Sequence, residues 1–134
     1  MTQKELSQIR YLKTEIEQDA ERLQEFEKHS ISGLFYEEKL SPETAAIIEQ
    51  CKRILDAKRK KNIEEYARLC RYIEGIEDDF MRQIIVLRYI NGYNWVQVAM
   101  NIGGGNTAEG VRIAHKRFLK AEERQRRKKK SRFE

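Results

Sequence analysis

The side chains most suited to recognition chemistry lie near the C-terminal end of this sequence. Thr107, Glu109 and Arg112 occupy positions that would share the outward face of one helix. A glutamate can accept a hydrogen bond from a cytosine amino group, and an arginine can bind a guanine edge or a phosphate. The spacing therefore indicates a helix that contacts a nucleic acid, and it predicts no catalytic group.

Basic residues surround these three positions and continue to the end of the chain. From Arg112 onward there are eleven Lys or Arg against three acids, whereas the preceding 111 residues carry sixteen basic and nineteen acidic side chains. Such segregation is typical of a polyanion-binding end, and a solvated tail is the alternative. The candidate DNA contacts are the polar or basic residues Asn106, Thr107, Glu109, Arg112, His115, Lys116, Arg117, Lys120, Arg124, Arg126, Arg127 and Lys128.

Two helices and a glycine turn must position these side chains. The first helix opens with Asn94, which with Gln97 forms the pattern of a capping box. Gly103-Gly104-Gly105 follows as a turn, and Asn106 with Glu109 repeats the capping pattern. Apolar residues at helical spacing predict the buried faces: Trp95, Val98, Ala99 and Ile102 in the first helix, and Val111, Ala114 and Phe118 in the second.

This pattern predicts a helix-turn-helix from about Asn94 to Leu119. A preceding helix from Asp79 to Ile90, capped by Asp78 or Asp79, would complete three helices. Its inward face would carry the apolar residues Phe80, Ile84 and Leu87.

The N-terminal half predicts two long helices. Residues 4–28 carry a heptad seam that Asp19 interrupts, and residues 29–41 form a predicted loop. Ser41 and Pro42 then start a second helix that ends near Glu74, before Gly75. The seam residues are Ile9, Leu12, Ile16, Leu23 and Phe26 in the first helix, and Ile48, Cys51, Leu55, Tyr66, Leu69 and Ile73 in the second. The run from Lys58 to Asn62 interrupts the seam of the second helix.

These two helices either form an antiparallel hairpin or pair with a second copy as a homodimer. The sequence thus predicts an all-α protein in three parts: a helical hairpin or coiled coil (1–76), a three-helix helix-turn-helix domain (77–121) and a basic tail (122–134).

Several classes of function lack their sequence signals. His29 and His115 have no partners at metal-ligand spacing, and the three glycines lack the remainder of a phosphate-binding loop. Cys51 and Cys70 lie too far apart on one helix to form a disulfide, which indicates a reducing compartment. Neither an 18-residue apolar run nor an export signal is evident. We expect no enzyme activity, metal, cofactor or membrane partner, and a cytoplasmic location in a bacterial host cell.

The stretch from Ile85 to Arg112 resembles region four of bacterial primary-class sigma factors. Thr107, Glu109, Val111, Arg112, Arg117 and Leu119 match the family pattern T-x-E-x-[IV]-R-x-x-x-x-[KR]-x-L, whereas Ala108, Gly110 and Ile113 replace polar or basic residues common there. The whole chain looks more like the small region-four-like proteins of phages and prophages of low-GC Gram-positive bacteria. This resemblance implies a phage-type transcription regulator in which Glu109 reads bases and Arg112 contacts DNA.

Two other functions fit the same pattern. The protein could bind host RNA polymerase without a DNA site of its own, as region four contacts polymerase in its family. It could also be the DNA-recognition subunit of a packaging machine, resembling a small terminase, because such subunits pair a helix-turn-helix with oligomerising helices. A pure protein-interaction role without any nucleic acid is a further alternative. In each of these interpretations the chain acts as a binding protein.

Overall fold

The computed structural model describes the backbone of residues 1–35 and 41–132 and the side chains of residues 1–28 and 41–132. Within these ranges the chain forms helices and no β-strand, which confirms the all-α prediction. The helices are α1 (Gln3–Phe35), α2 (Pro42–Glu74), α3 (Asp79–Ile85), α4 (Trp95–Ile102) and α5 (Ala108–Arg132), and a π-helical segment, Val86–Ile90, continues α3.

Both ends of α2 follow the predicted signals. The Thr44 amide donates to the Ser41 hydroxyl oxygen at 3.1 Å, and Pro42 occupies the first helical position. The helix ends at Glu74, and the Gly75 amide donates to the Arg71 carbonyl at 3.0 Å.

The predicted loop begins too early in the sequence. α1 continues to Phe35, so the loop assignment is wrong for residues 29–35, and residues 36–40 lie outside the described chain. Gly33 is the weakest helix former in this stretch and costs only about 1 kcal/mol relative to alanine. A long helix tolerates that cost.

Packing divides the chain into two units. We call residues Met1–Arg10 and Arg68–Glu134 the α5 unit, and residues Tyr11–Ala67 the paired-helix unit. The expected boundary near residue 76 differs from this division, because the first residues of α1 and the last residues of α2 pack with α3 to α5. The buried side chains of the α5 unit include Leu6, Ile9, Leu69, Ile73, Ile84, Ile85, Val98 and Val111.

In the paired-helix unit α1 and α2 run antiparallel, and polar residues that interrupt their apolar seams lie close together. Lys58 Nζ lies 3.2 Å from Glu15 Oε2 and 3.5 Å from Asp19 Oδ2. The Asn62 amide group donates to Glu15 at 3.5 Å. Asp19 is only 1% exposed, so its charge needs the partner that Lys58 supplies. The polar residues that interrupt each seam therefore complement each other across this helix pair.

The predicted inward face of α3 needs a correction. Asp78 is the N-cap, because its carboxylate accepts a hydrogen bond from the Met81 amide at 3.1 Å. Met81, Ile84 and Ile85 are buried, whereas Phe80 is exposed and Leu87 is half-buried. Tyr89, which lies four residues after Ile85 in the π-helical segment, is also buried.

Candidate nucleic-acid interface

The turn between α4 and α5 is built as the glycine run predicted. The capping box of α4 is present. The backbone N–H of Gln97 donates to Asn94 Oδ1 at 2.9 Å, and the backbone N–H of Asn94 donates to Gln97 Oε1 at 3.0 Å. The three turn glycines, Gly103 to Gly105, all have positive φ, a conformation that side chains with a Cβ rarely adopt. The Asn106 side chain closes the turn by donating to the Gly103 carbonyl at 2.8 Å.

Thr107, and not Asn106, caps α5. The Thr107 hydroxyl oxygen accepts a hydrogen bond from the Gly110 amide at 3.0 Å. A Cβ on Gly110 would lie 3.0 Å from that same oxygen, so glycine leaves room for the cap. The second capping box predicted from Asn106 and Glu109 is therefore wrong, since Asn106 bonds within the turn.

The inward face of α5 joins an aromatic cluster. Val111 and His115 are buried, and Ala114 and Phe118 are half-buried. His115 Nε2 and the Tyr89 hydroxyl lie 2.5 Å apart, and the His115 ring centroid lies 4.9 Å from that of Trp95. Tyr89, Trp95 and His115 thereby connect the π-helical segment, α4 and α5.

His115 was predicted among the DNA contacts, and the structure overturns that prediction. Its side chain is 3% exposed and forms part of the core. Burial, and then the nearby positive charge of Arg88, lower its pKa to about 4. A neutral imidazole in the core has neither the exposure nor the charge needed to contact a phosphate.

Arg88 contacts the same cluster. Its guanidinium carbon lies 4.6 Å from the Trp95 ring centroid, a cation–π geometry. Its Nη1 donates to the Tyr93 carbonyl at 2.9 Å. Arg88 therefore fixes the segment between the π-helical turn and α4, although it was not among the predicted site residues.

The outward face of α5 brings Glu109 and Arg112 together. Arg112 Nε donates to Glu109 Oε2 at 3.1 Å, and Nη2 donates to Oε1 of the same carboxylate. Hydrogen bonding to Arg112 lowers the pKa of Glu109, and hydrogen bonding to Glu109 raises that of Arg112. The carboxylate thus occupies the guanidinium fork that would bind a phosphate or a guanine edge.

Beyond this pair the exposed face of α5 is strongly basic. Basic residues occur at every fourth position in the series Arg112, Lys116, Lys120, Arg124 and Lys128. Residues four apart lie on adjacent turns, about 40° further around the helix, so these side chains form a row about 24 Å long that winds through about 160° around the helix axis. This spacing is visible in the sequence, but the side chains form a row only because α5 remains helical to Arg132.

The remaining predicted contacts are exposed, and the predicted tail is part of the same helix. Arg117, Arg126 and Arg127 project into solvent, and Arg127 pairs with Glu123 at 2.9 Å. Met1, Thr2 and Gln3 of the α5 unit line a cavity with Lys116 and Lys120. The beginning of the chain therefore borders the basic row, an arrangement that no local sequence signal indicated.

The described residues contain no group of three or more His, Cys, Asp or Glu side chains suited to a metal ion. In this part of the chain no helix combines the length and apolar character needed to cross a membrane. Comparison with protein-family models, curated proteins and solved structures finds no match to this chain.

Proposed function

We propose that the chain is a sequence-specific double-stranded DNA-binding protein in which α4, the glycine turn and α5 act as a helix-turn-helix. The observation that carries the proposal is the outward face of α5, where the Thr107 cap, the Glu109–Arg112 pair and the basic row follow one another. In a helix-turn-helix the second helix enters the major groove and its first residues contact base edges.

The residues of this face would have different roles in DNA binding. Glu109 and Arg112 stand at the N-terminal end of α5, where side chains reach base edges. Lys116, Lys120 and Arg124 lie farther along the row and would contact phosphates, which adds affinity without sequence preference. Base recognition by Glu109 and Arg112 requires their ion pair to open or to turn toward the DNA together.

The biological role follows from the resemblance to sigma region four. A region-four-like DNA-binding unit fits a phage-type transcription regulator in a bacterial host cell. The basic row supports the DNA-binding part of this proposal, and the regulatory part rests on the resemblance.

The direct test compares the wild-type protein with the double variant Arg112→Ala/Lys116→Ala. Binding to a selected duplex is measured by fluorescence anisotropy across a salt series. If about five phosphates are neutralised, the logarithmic salt slope of wild-type binding is about −4 to −5. The double variant should lose about two of those contacts and bind at least about tenfold more weakly.

A matched control is Lys60→Ala/Lys61→Ala, which removes the same charge from the paired-helix unit, where both lysines are exposed. This control should retain most of the affinity. Equal binding by wild type and the Arg112/Lys116 variant would contradict the proposed groove contact.

A protein partner is the second candidate, supported by the outer face of α4. Val96 and Met100, one turn apart, are 58% and 76% exposed. Exposed apolar side chains on one face suit contact with another protein such as host RNA polymerase. Retention of polymerase on immobilised protein, lost in Val96→Glu/Met100→Glu but kept in Arg112→Ala/Lys116→Ala, would favour this function over DNA binding.

A further inference from the structure

The C-terminal part of α5, residues Arg124–Arg132, is basic on every side of the helix. Seven of these nine residues are Lys or Arg, and all nine are exposed. We call Arg124–Arg132 the basic segment. At about 100° per residue its cations surround the helix, and neighbouring cations are at most about 60° apart around the axis. The basic row accounts for only two of the seven cations, Arg124 and Lys128.

Two other cations of the basic segment lie on the side of α5 that faces the core nearer the start of the helix. Lys129 follows the buried Val111 by eighteen residues, or about five turns, so both side chains leave the helix in the same direction. Arg126 lies within about 60° of that direction. Lys120, at the centre of the basic row, follows Val111 by nine residues, or about two and a half turns, and leaves in the opposite direction. We call Arg126 and Lys129 the reverse face.

The acid one turn before the reverse face is Glu122, and it interacts with another residue. Burial, and then the negative charge of Glu122, raise the pKa of Tyr72 on α2. Within the described part of the chain, neither Arg126 nor Lys129 has an ion-pair partner. Both cations are therefore open to an anion from outside the chain.

A duplex held by the basic row is too far away to neutralise the reverse face. An α-helix with its side chains is about 10–12 Å thick, and exposed charges more than about 8 Å apart are largely screened at physiological salt. Like charges three or four positions apart also destabilise a helix, and Arg126 has such neighbours in Lys129 and Lys130. The reverse face therefore weakens the helix without contributing to the complex with that duplex, and a second anionic partner would remove the repulsion.

We propose that the reverse face binds the backbone phosphates of a second segment of duplex DNA, so that one copy of the protein bridges two duplexes. The basic segment contains no apolar residue, and lysine is depleted in protein–protein interfaces, so its composition suits phosphates better than a protein surface. A long DNA molecule held at the first site also presents its other segments at a high local concentration. This inference rests on the proposed DNA binding by the outward face of α5 and adds a second contact on the opposite side.

The first test is a bridging assay with the full-length protein. A duplex that carries the selected site is fixed to beads, and capture of a second, fluorescent random duplex is measured at increasing protein concentration. Wild type should capture the second duplex. Arg126→Gln/Lys129→Gln should reduce capture at least about tenfold, whereas its affinity for a single duplex, measured by anisotropy, should stay within about twofold of wild type.

Arg124→Gln/Lys128→Gln is the matched control, because it removes one Arg and one Lys from the same segment on a side about 150° away. It should weaken binding to the single duplex but, on beads saturated with protein, should keep the capture of the second. Equal loss of capture in both variants would indicate one undivided basic surface and overturn the reverse face. Capture that persists in Arg126→Gln/Lys129→Gln would assign the bridging to pairs of protein copies and would also overturn the proposal.

The class of the partner is tested in the same assay. A single-stranded RNA of equal length replaces the fluorescent duplex, and the two captured amounts are compared. The proposal expects the duplex to be captured at least as well as the RNA. Markedly better capture of the RNA would overturn the assignment to duplex DNA.

Sedimentation equilibrium with short duplexes in excess measures the stoichiometry and separates this inference from the proposed function. Wild type should carry two duplexes per protein and Arg126→Gln/Lys129→Gln one. A single, sequence-specific duplex that this variant binds as wild type does would overturn the inference and leave the proposed function standing. A single duplex bound without sequence preference, and lost in this variant, would support the reverse face and contradict the groove contact of Arg112.

Discussion

The hydroxyl of Tyr89 and Nε2 of His115 lie 2.5 Å apart in the core of the α5 unit. The hydrogen bond links the π-helical segment to the middle of α5, one turn beyond Val111. Because His115 points inward, the opposite face of the helix, with Lys116 and Lys120, is exposed to solvent. The internal contact thereby sets the rotation of the proposed recognition helix about its own axis.

We predict that the burial of His115 makes stability depend on pH. His115 has a pKa of about 4 in the folded protein, below the ordinary value of 6.5. Between these two values the unfolded chain binds a proton that the folded chain does not, so the free energy of unfolding decreases as the pH falls through this window. The loss is at most about 3 kcal/mol, and the full stabilisation is present above the ordinary pKa.

Urea denaturation at several pH values measures this dependence. His115→Gln should be less stable than wild type at neutral pH. In this variant the free energy of unfolding should no longer show most of its decrease between the ordinary histidine pKa of 6.5 and the folded value of about 4. His29→Gln is the matched control and should keep it. An unchanged pH profile in His115→Gln would show that other groups cause the dependence.

We predict that Thr107 contributes to stability through its capping hydroxyl. Thr107→Ala removes the acceptor for the Gly110 amide and should lower the free energy of unfolding by about 1 kcal/mol. Thr107→Ser keeps the oxygen and should restore most of the loss. If the alanine and serine variants unfold alike, the hydroxyl does not act as the cap.

Glu109→Gln should strengthen non-specific DNA binding. The substitution removes a negative charge from the proposed interface and weakens the interaction that holds the Arg112 guanidinium. We expect affinity for a random duplex to rise several-fold, while the preference for the selected site falls if Glu109 contacts a base. Glu123→Gln, which removes the partner of Arg127 farther along α5, is the control. Anisotropy titrations with both duplexes separate the two effects.

Arg124 and Lys128, the last two residues of the basic row, should add salt-dependent affinity for DNA without adding sequence preference. Arg124→Gln/Lys128→Gln removes two exposed charges beyond the part of α5 that packs on the core. The logarithmic salt slope should become less steep by about two, with the ratio of specific to non-specific affinity unchanged. A changed ratio would mean that this half of α5 also contacts bases.

Local signals in the sequence determined where most helices begin and end. Ser41 with Pro42, Asn94 with Gln97, and the three turn glycines each act within a few residues, so their effect does not depend on distant parts of the chain. Apolar spacing likewise identified Ile84, Val98 and Val111 as core residues. An all-α chain with an exposed, basic final helix follows from these signals and from the charge distribution.

Only the tertiary structure decided how these helices are rotated and where their side chains pair. Tyr89 of the π-helical segment and His115 of α5 lie 26 positions apart in the sequence, and each is the buried partner of the other. Asp19 and Lys58 lie 39 positions apart in the sequence, and each looked like a break in its own seam until the two helices paired. Long-range pairing changes the environment of a side chain without changing the local pattern, which is why periodicity predicted the helices and not these contacts.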